Sequence, residues 1–267
     1  MGKQVGTVET GSFSMDYLLF GKGKESLVII PGLSVQSVMG AADAVVESYQ
    51  LLADSFTIYL LDQRRGVPDS YPVSEMAQDA FEALRALGIS RTHLFGVSLG
   101  GMIAMKLAIG HPELVQKLAL GSTAACVSQE QYQLIDQWVT LAEQRDARTL
   151  YLAFGEAIYP PDVLERARGQ FEEAAKTVTA QDLRRFTILA HGIQGFDVSG
   201  DLGKIDCPVL AIGSSDDRIF GAETTLPIAD ILGESPGFEM HLYDSYGHAA
   251  YDTAPDYKER LLRFFAA

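Results

Sequence analysis

Short runs that are apolar on both faces constrain the fold of this chain more than any other feature. Phe56 to Leu61 is continuously apolar, rich in β-forming residues, and ends at Asp62. A strand with no polar face belongs in a sheet covered on both sides, and such sheets are parallel. Thr92 to Val97 and Val115 to Leu120 also read as strands, with a helical stretch from Leu99 to Ile109 between them. Upstream, residues 14–20 and 25–30 read as strands, the second stopped by Pro31-Gly32. Residues 41–53 suit a helix. Another helix follows, where Met76, Ala77, Ala80, Phe81, Leu84 and Leu87 recur at helical spacing, with Ser74 as its expected N-cap and Gly88 just past its end. Strands and helices alternating through short connections predict βαβ units and a parallel sheet.

The alternation stops near residue 125. From there to about 195 the chain reads as successive helices, interrupted by Pro160-Pro161 and Gly169. It resumes with a strand at Pro208 to Ile212, a helix near 222–232, a strand near 237–243 and a last helix from about Asp256. The expected organisation is an α/β core domain of residues 1–124 and 196–267, with a helical insertion at 125–195. A chain of 267 residues accommodates this as one large sheet domain plus its insertion.

Composition narrows the function. Lys and Arg number 21 against 35 Asp and Glu, a formal charge of −14, which suits neither phosphate backbones nor anionic lipid. No apolar run approaches the ~18 residues of a membrane span, and the N-terminus lacks the apolar stretch of a signal peptide, so a cytoplasmic location is expected. Two cysteines, Cys126 and Cys207, form no disulfide framework and no zinc pattern; both read as buried small residues. The chain contains no asparagine, which removes any Cys-His-Asn type of site.

Gly96-Val97-Ser98-Leu99-Gly100 lies between a predicted strand and a predicted helix. In this G-x-S-x-G context the serine occupies a strained turn with its hydroxyl above the sheet edge, and backbone passes too close to tolerate side chains two positions away on either side. The following helix aims its N-terminal amides at the same point. Dinucleotide and P-loop spacings are both absent. Serine needs a base within hydrogen-bond reach. His93 lies within a strand, His111 and His191 near helix ends, and His241 within a late strand. His248 follows Gly247 in a loop after the last predicted strand, on the side of the sheet where Ser98 emerges. A carboxylate should orient that base. The strand ending near Leu120 is followed by Gly121-Ser122-Thr123, which has none, whereas Pro208 to Ile212 runs into Gly213-Ser214-Ser215-Asp216-Asp217. Asp217 is favoured over Asp216, because Arg218-Ile219-Phe220-Gly221 follows it as a turn. For a developing oxyanion, the candidate donors are the backbone amides of Leu99 and Leu33.

With Ser98, Asp217 and His248 in this order, the chain resembles the α/β-hydrolase superfamily. The likeness extends through Leu27-Val28-Ile29-Ile30-Pro31-Gly32, Leu61-Asp62-Gln63-Arg64-Arg65-Gly66, His111-Pro112-Glu113-Leu114-Val115, Asp206-Cys207-Pro208-Val209-Leu210 and Gly247-His248. The resemblance implies an eight-stranded, mostly parallel sheet flanked by helices, with residues 125–195 as a lid over the site. Many relatives have His-Gly where this chain has Pro31-Gly32, which keeps the backbone donor and loses the side chain. Relatives that dehalogenate or open epoxides carry aspartate at the elbow, so Ser98 argues against both reactions.

The expectation is a serine hydrolase that needs no cofactor or metal and cleaves a small or medium ester, thioester or lactone. Its expected partner is a small-molecule substrate, with no nucleic acid or membrane. The alternatives are hydrolysis of a carbon–carbon bond in a diketone-like substrate, or a ligand-binding protein on the same fold that does not turn over. Tyr132, Trp138, Tyr151, Phe154 and Tyr159 of the insertion stand at a helical spacing more common in core than in pocket lining and are assigned no role, and Arg64 and Arg65 read as structural salt-bridge partners.

Overall fold

The computed structural model describes residues 2–221 and 224–267. Its sheet contains β1 (Gln4–Glu9), β2 (Ser14–Gly21), β3 (Glu25–Ile30), β4 (Phe56–Arg64), β5 (Thr92–Val97), β6 (Val115–Gly121), β7 (Val209–Ser214) and β8 (Phe238–Tyr243). They are ordered β1-β2-β4-β3-β5-β6-β7-β8. The β1–β2 and β2–β4 pairs are antiparallel and all later pairs parallel. The α/β-hydrolase fold expected from the sequence is therefore present, with its eight-stranded, mostly parallel sheet.

Burial on both faces explains the unbroken apolar runs. In β3, Val28 and Ile30 join one core cluster while Leu27 and Ile29 join the other. The first cluster packs against α2 (Val73–Ala86) and α3 (Leu99–Gly110); the second packs against α10 (Tyr257–Ala266). Helix α3 is buried from Leu99 to Met105 without a break, so it lacks the polar stripe of a surface helix.

Between β6 and β7 the chain forms α4 (Gln129–Glu143), α5 (Ala147–Ile158), α6 (Pro161–Lys176) and α7 (Ala180–His191). Local chemistry sets their starts. Ser128 with Gln131 and Thr179 with Asp182 form capping boxes, and Pro161 takes the first position of α6. The segment leaves and rejoins the core through one antiparallel bridge, Cys126 with Asp197. Amides of Val127 and Val198 donate across it to the carbonyls of Phe196 and Ala125, at 2.9 and 2.8 Å. Cys126 is exposed on this bridge and Cys207 only half-buried, so neither is the buried residue expected.

Several boundaries differ from the sequence reading. The expected helix at 41–53 is a 3-10 turn at Val38–Ala41 followed by α1 (Ala42–Ser48), because the next residues tighten into turns that bury Leu52 and Ala53. Helix α2 is capped by Pro72, whose carbonyl accepts from the amides of Glu75 and Met76; Ser74 lies inside the first turn. Strand β1 went unread because its side chains are mostly exposed. The helix expected near 222–232 is α8 (Thr225–Leu232); positions 222 and 223 lie outside the described residues.

Two glycines separate steric need from mere tolerance. A Cβ at Gly100 would sit 2.0 Å from the Ile30 carbonyl oxygen, whereas one at Gly169, inside α6, would meet nothing within 4 Å. Gly100→Ala should therefore lower stability by about 3 kcal/mol or more, while Gly169→Ala should raise it by up to about 1 kcal/mol. Urea denaturation midpoints of the two variants measure both effects.

Candidate active site

Strand β5, buried at all six positions, delivers Ser98 at its C-terminal end. The Ser98 amide still donates to the Gly121 carbonyl at 2.9 Å, extending the β5–β6 ladder by one residue. The backbone then turns sharply, with Ser98 at φ 53° and ψ −121°. For a residue with a Cβ this conformation costs on the order of 1–3 kcal/mol and persists only where the surroundings enforce it. Here the Ser98 carbonyl accepts from the amides of Gly101 and Met102 and, at 2.7 Å, from the Thr123 hydroxyl. Gly96 is needed on the near side, since a Cβ there would lie 2.3 Å from the Gly100 carbonyl oxygen. A Cβ on Gly32 would come within 3.1 Å of the Ser98 Cβ, so the Pro31-Gly32 loop passes directly beside the serine.

His248 is buried in the loop after β8 and shares a small cleft with Ser98, Gly32 and Leu33. Its Nδ1 lies 2.8 Å from Asp217 Oδ2, and both side chains are only 3 % exposed. The second Asp217 oxygen accepts from the amides of Ile219 and Phe220 at 2.8 and 3.1 Å. Burial opposes ionisation of this carboxyl. The charge and hydrogen bond of His248, with the two amides, outweigh burial and hold its pKa below the ordinary carboxylate value. Asp216 points elsewhere. Its Oδ1 accepts from the amides of Tyr246 and Gly247, at 3.1 and 2.9 Å, and from the Ser214 hydroxyl at 2.5 Å. Asp217 therefore contacts the histidine, and Asp216 pins the loop that carries it.

Gly247 takes φ 64°, and a Cβ there would lie 2.8 Å from the Ile158 carbonyl oxygen at the end of α5. The Ala249 amide donates to that same carbonyl at 3.0 Å, so the insertion touches the histidine loop directly. Of the oxyanion candidates, Leu33 lines the cleft. Leu99 occupies the first position of α3, where the amide has no acceptor within the helix. No hydrogen bond joins the Ser98 hydroxyl to His248 among the described residues; such contacts commonly tighten when substrate binds.

The cleft itself has a volume of only about 30 Å³. It shares Gly32, Leu33, Phe154, Ile158 and Tyr251 with a larger cavity of about 390 Å³. The insertion's aromatics, left without a role by the sequence, divide between core and cavity wall. Tyr151, Phe154 and Tyr159 line the larger cavity and Trp138 the cleft, while Tyr132 is buried. Sequence reasoning also missed Tyr251 and Asp252, which border the larger cavity from the short helix α9 (Ala250–Thr253), immediately after His248.

The other histidines stand apart from the cleft. His93 is buried between Phe56 and Phe265 with no hydrogen bond to either ring nitrogen, and His111 stacks on Phe81. Arg64 pairs with Asp79 at 3.3 Å and Arg65 with Asp16 at 2.8 Å. Among the described residues no cluster of three or more His, Cys, Asp or Glu is arranged to hold a metal, and no helix is long and apolar enough to cross a membrane.

A proposed carbamate hydrolase, RutD, of Agrobacterium fabrum is 26% identical over 244 residues, covering 88% of this chain and 92% of its own length. A 2-hydroxy-6-oxononadienedioate/2-hydroxy-6-oxononatrienedioate hydrolase of a Pseudomonas species is 27% identical over 274 residues, covering 92% of this chain and 89% of the relative. Among solved structures, the α/β hydrolase MGS-M2 from a Medee basin deep-sea metagenome library superposes with a TM-score of 0.86 at 21% identity, covering 98% of both chains. The model of the alpha/beta hydrolase family matches residues 27–257. The chain belongs to the alpha/beta hydrolase family and is an enzyme of the hydrolase type.

Proposed function

We propose that this hydrolase cleaves a small or medium carboxylic ester, thioester or lactone through an acyl-enzyme on Ser98. The observation that carries this reading is the buried 2.8 Å contact between His248 and Asp217 beside a serine held at positive φ. In the proposed reaction His248 takes the Ser98 proton as the hydroxyl attacks the carbonyl carbon. Asp217 fixes the imidazole so that Nδ1 carries hydrogen and Nε2 is free to accept, and it stabilises the imidazolium that forms. The amides of Leu33 and Leu99 receive the oxyanion. Collapse expels the alcohol, thiol or ring oxygen, which takes its proton from His248. Water, deprotonated by the same histidine, then attacks the acyl-enzyme and releases the acid. In this reading, residues 125–195 act as a lid whose apolar side chains exclude bulk water and so strengthen each polar interaction at the serine.

Carbon–carbon hydrolysis is the second reading, favoured by the Pseudomonas relative. The dioate named for that relative carries two carboxylates. The cleft and cavity here are lined by no lysine or arginine among the described residues and by one aspartate, Asp252. That lining suits a neutral or cationic ester better than a dianion.

A fluorophosphonate probe is expected to label the wild-type chain and to leave Ser98→Ala unlabelled, as read by intact-protein mass spectrometry. Labelling retained in Ser98→Ala would place the nucleophile elsewhere. Against aryl esters, lactones, thioesters and carbamates, wild-type turnover should be greatest with the first three classes. Asp217→Asn should lower kcat by about 10⁴-fold. Asp216→Asn, which keeps an acceptor oxygen for the Tyr246 and Gly247 amides, should lower it no more than about tenfold. The reverse order would exchange the two roles.

A further inference from the structure

The larger cavity has a chemistry that hydrolysis alone does not require. Its wall is mostly apolar, formed by Val35, Val38, Ile158 and the rings of Tyr49, Tyr151 and Phe171. One carboxylate, Asp252, interrupts that surface. Asp252 forms no ion pair within 4 Å among the described residues, and its one hydrogen bond comes from the Tyr159 hydroxyl, at 3.3 Å. One oxygen of that carboxylate is therefore uncommitted. The nearby Lys258 does not fill the gap. Its ammonium donates to the Tyr251 carbonyl and lies 4.9 Å from the Tyr49 ring centre, and Lys258 does not line the cavity.

We infer that this cavity is a subsite for an ammonium group carried on the substrate, held by Asp252 and by the faces of the surrounding tyrosines. The inference rests on the ester-cleaving reading of Ser98 and adds to it the charge of the substrate. Carboxylate and aromatic faces together are the means by which proteins bind alkylated and protonated amines, since ring faces carry partial negative charge. Asp252 is exposed within this open cavity, so a cation arriving with the substrate meets the carboxylate without first displacing a protein partner. The surrounding protein pushes the Asp252 pKa up, against the smaller lowering from Lys258 and from the Tyr159 hydrogen bond. The same carboxylate helps push the hydroxyls of Tyr49, Tyr159 and Tyr251 upward, second to burial in each case. A hydroxyl on the substrate could also donate to Asp252, but it would leave the aromatic walls unused.

Two isosteric ester pairs test the inference, one with the cation on each side of the scissile bond. The first is 2-(trimethylammonio)ethyl butanoate against 3,3-dimethylbutyl butanoate. The second is phenyl 4-(trimethylammonio)butanoate against phenyl 5,5-dimethylhexanoate. In each pair a quaternary nitrogen replaces a quaternary carbon of the same shape. Wild-type enzyme should prefer the cationic member of at least one pair by tenfold or more in kcat/KM. Asp252→Asn should lower that preference at least tenfold, mostly through KM, and Tyr159→Phe should lower it less. Thermal midpoints of both variants confirm that they are folded. Equal or better turnover of both neutral esters by wild-type enzyme would overturn the subsite and leave the ester-cleaving reading intact. A preference unchanged in Asp252→Asn would overturn the role of that carboxylate. If none of the four esters, nor any simple aryl ester, were cleaved in a Ser98-dependent way, the underlying reading itself would fail.

Discussion

Three stretches of backbone meet at Ser98 more closely than side chains would allow, and the rest of the site depends on that contact. Gly100 abuts the end of β3, Gly96 abuts the Gly100 carbonyl, and Gly32 brings the loop after β3 beside the serine. Ladder bonds of a buried parallel sheet hold these strands in register, so the approach is imposed by the sheet rather than by the loop. The strain at Ser98 is the consequence. A positive φ at a residue with a Cβ is tolerated because its amide, its carbonyl and the start of α3 are each fixed by a separate hydrogen bond. Loosening any of the three would let the serine relax away from the cleft.

The helical insertion is fastened to this framework by specific pairs as well as by apolar packing. Arg185 reaches from α7 to Asp62 at the end of β4, at 2.5 Å, with both side chains largely buried. Asp62 also accepts from the Ser37 hydroxyl at 2.5 Å. On the other side Tyr151 of α5 donates to the Gln36 side chain at 2.8 Å. A buried ion pair adds little net stability but strongly disfavours arrangements that separate its members. Meanwhile Trp138, Ile135 and Phe186 of the insertion belong to the same apolar cluster as Met76 and Leu99 of the sheet domain. Packing therefore supplies the adhesion, and the polar pairs fix where α5 meets the loop after β3 and where α7 meets the end of β4.

The elements most legible in the sequence were those whose residues answer to one demand. β5 ran from Thr92 to Val97 as read, because the apolar stretch from Leu94 to Val97 is buried on both faces and its two polar residues, Thr92 and His93, stand at its start. The Ser98 elbow was legible because its glycines answer to a steric contact rather than to preference. Legibility failed where two demands competed. Ser74 looked like a cap, but Pro72 preceded it and supplied the turn through its carbonyl. Tyr151 and Tyr159 sit at the helical spacing of core residues, and periodicity cannot say whether the buried face of a helix meets protein or a cavity. Asp252 gave no signal at all. A lone carboxylate four residues after a histidine is ordinary surface sequence until the fold sets it in the wall of a cavity.

Asp216 and Asp217 show how a single residue step can decide a site. The sequence left both open, since either could follow β7 to within reach of His248. Hydrogen-bond accounting separates them. The turn after Asp217 offers two amides, from Ile219 and Phe220, that satisfy one oxygen and orient the other toward His248. The loop carrying His248 has two amides of its own, from Tyr246 and Gly247, and Asp216 takes both. Turning Asp217 away would strand the buried amides of Ile219 and Phe220, a cost of about 1–3 kcal/mol for each unmet group. Each carboxylate is therefore held to its task by the backbone donors around it. An overall charge of −14 has little bearing on that choice, because what distinguishes these aspartates is which amides they must satisfy.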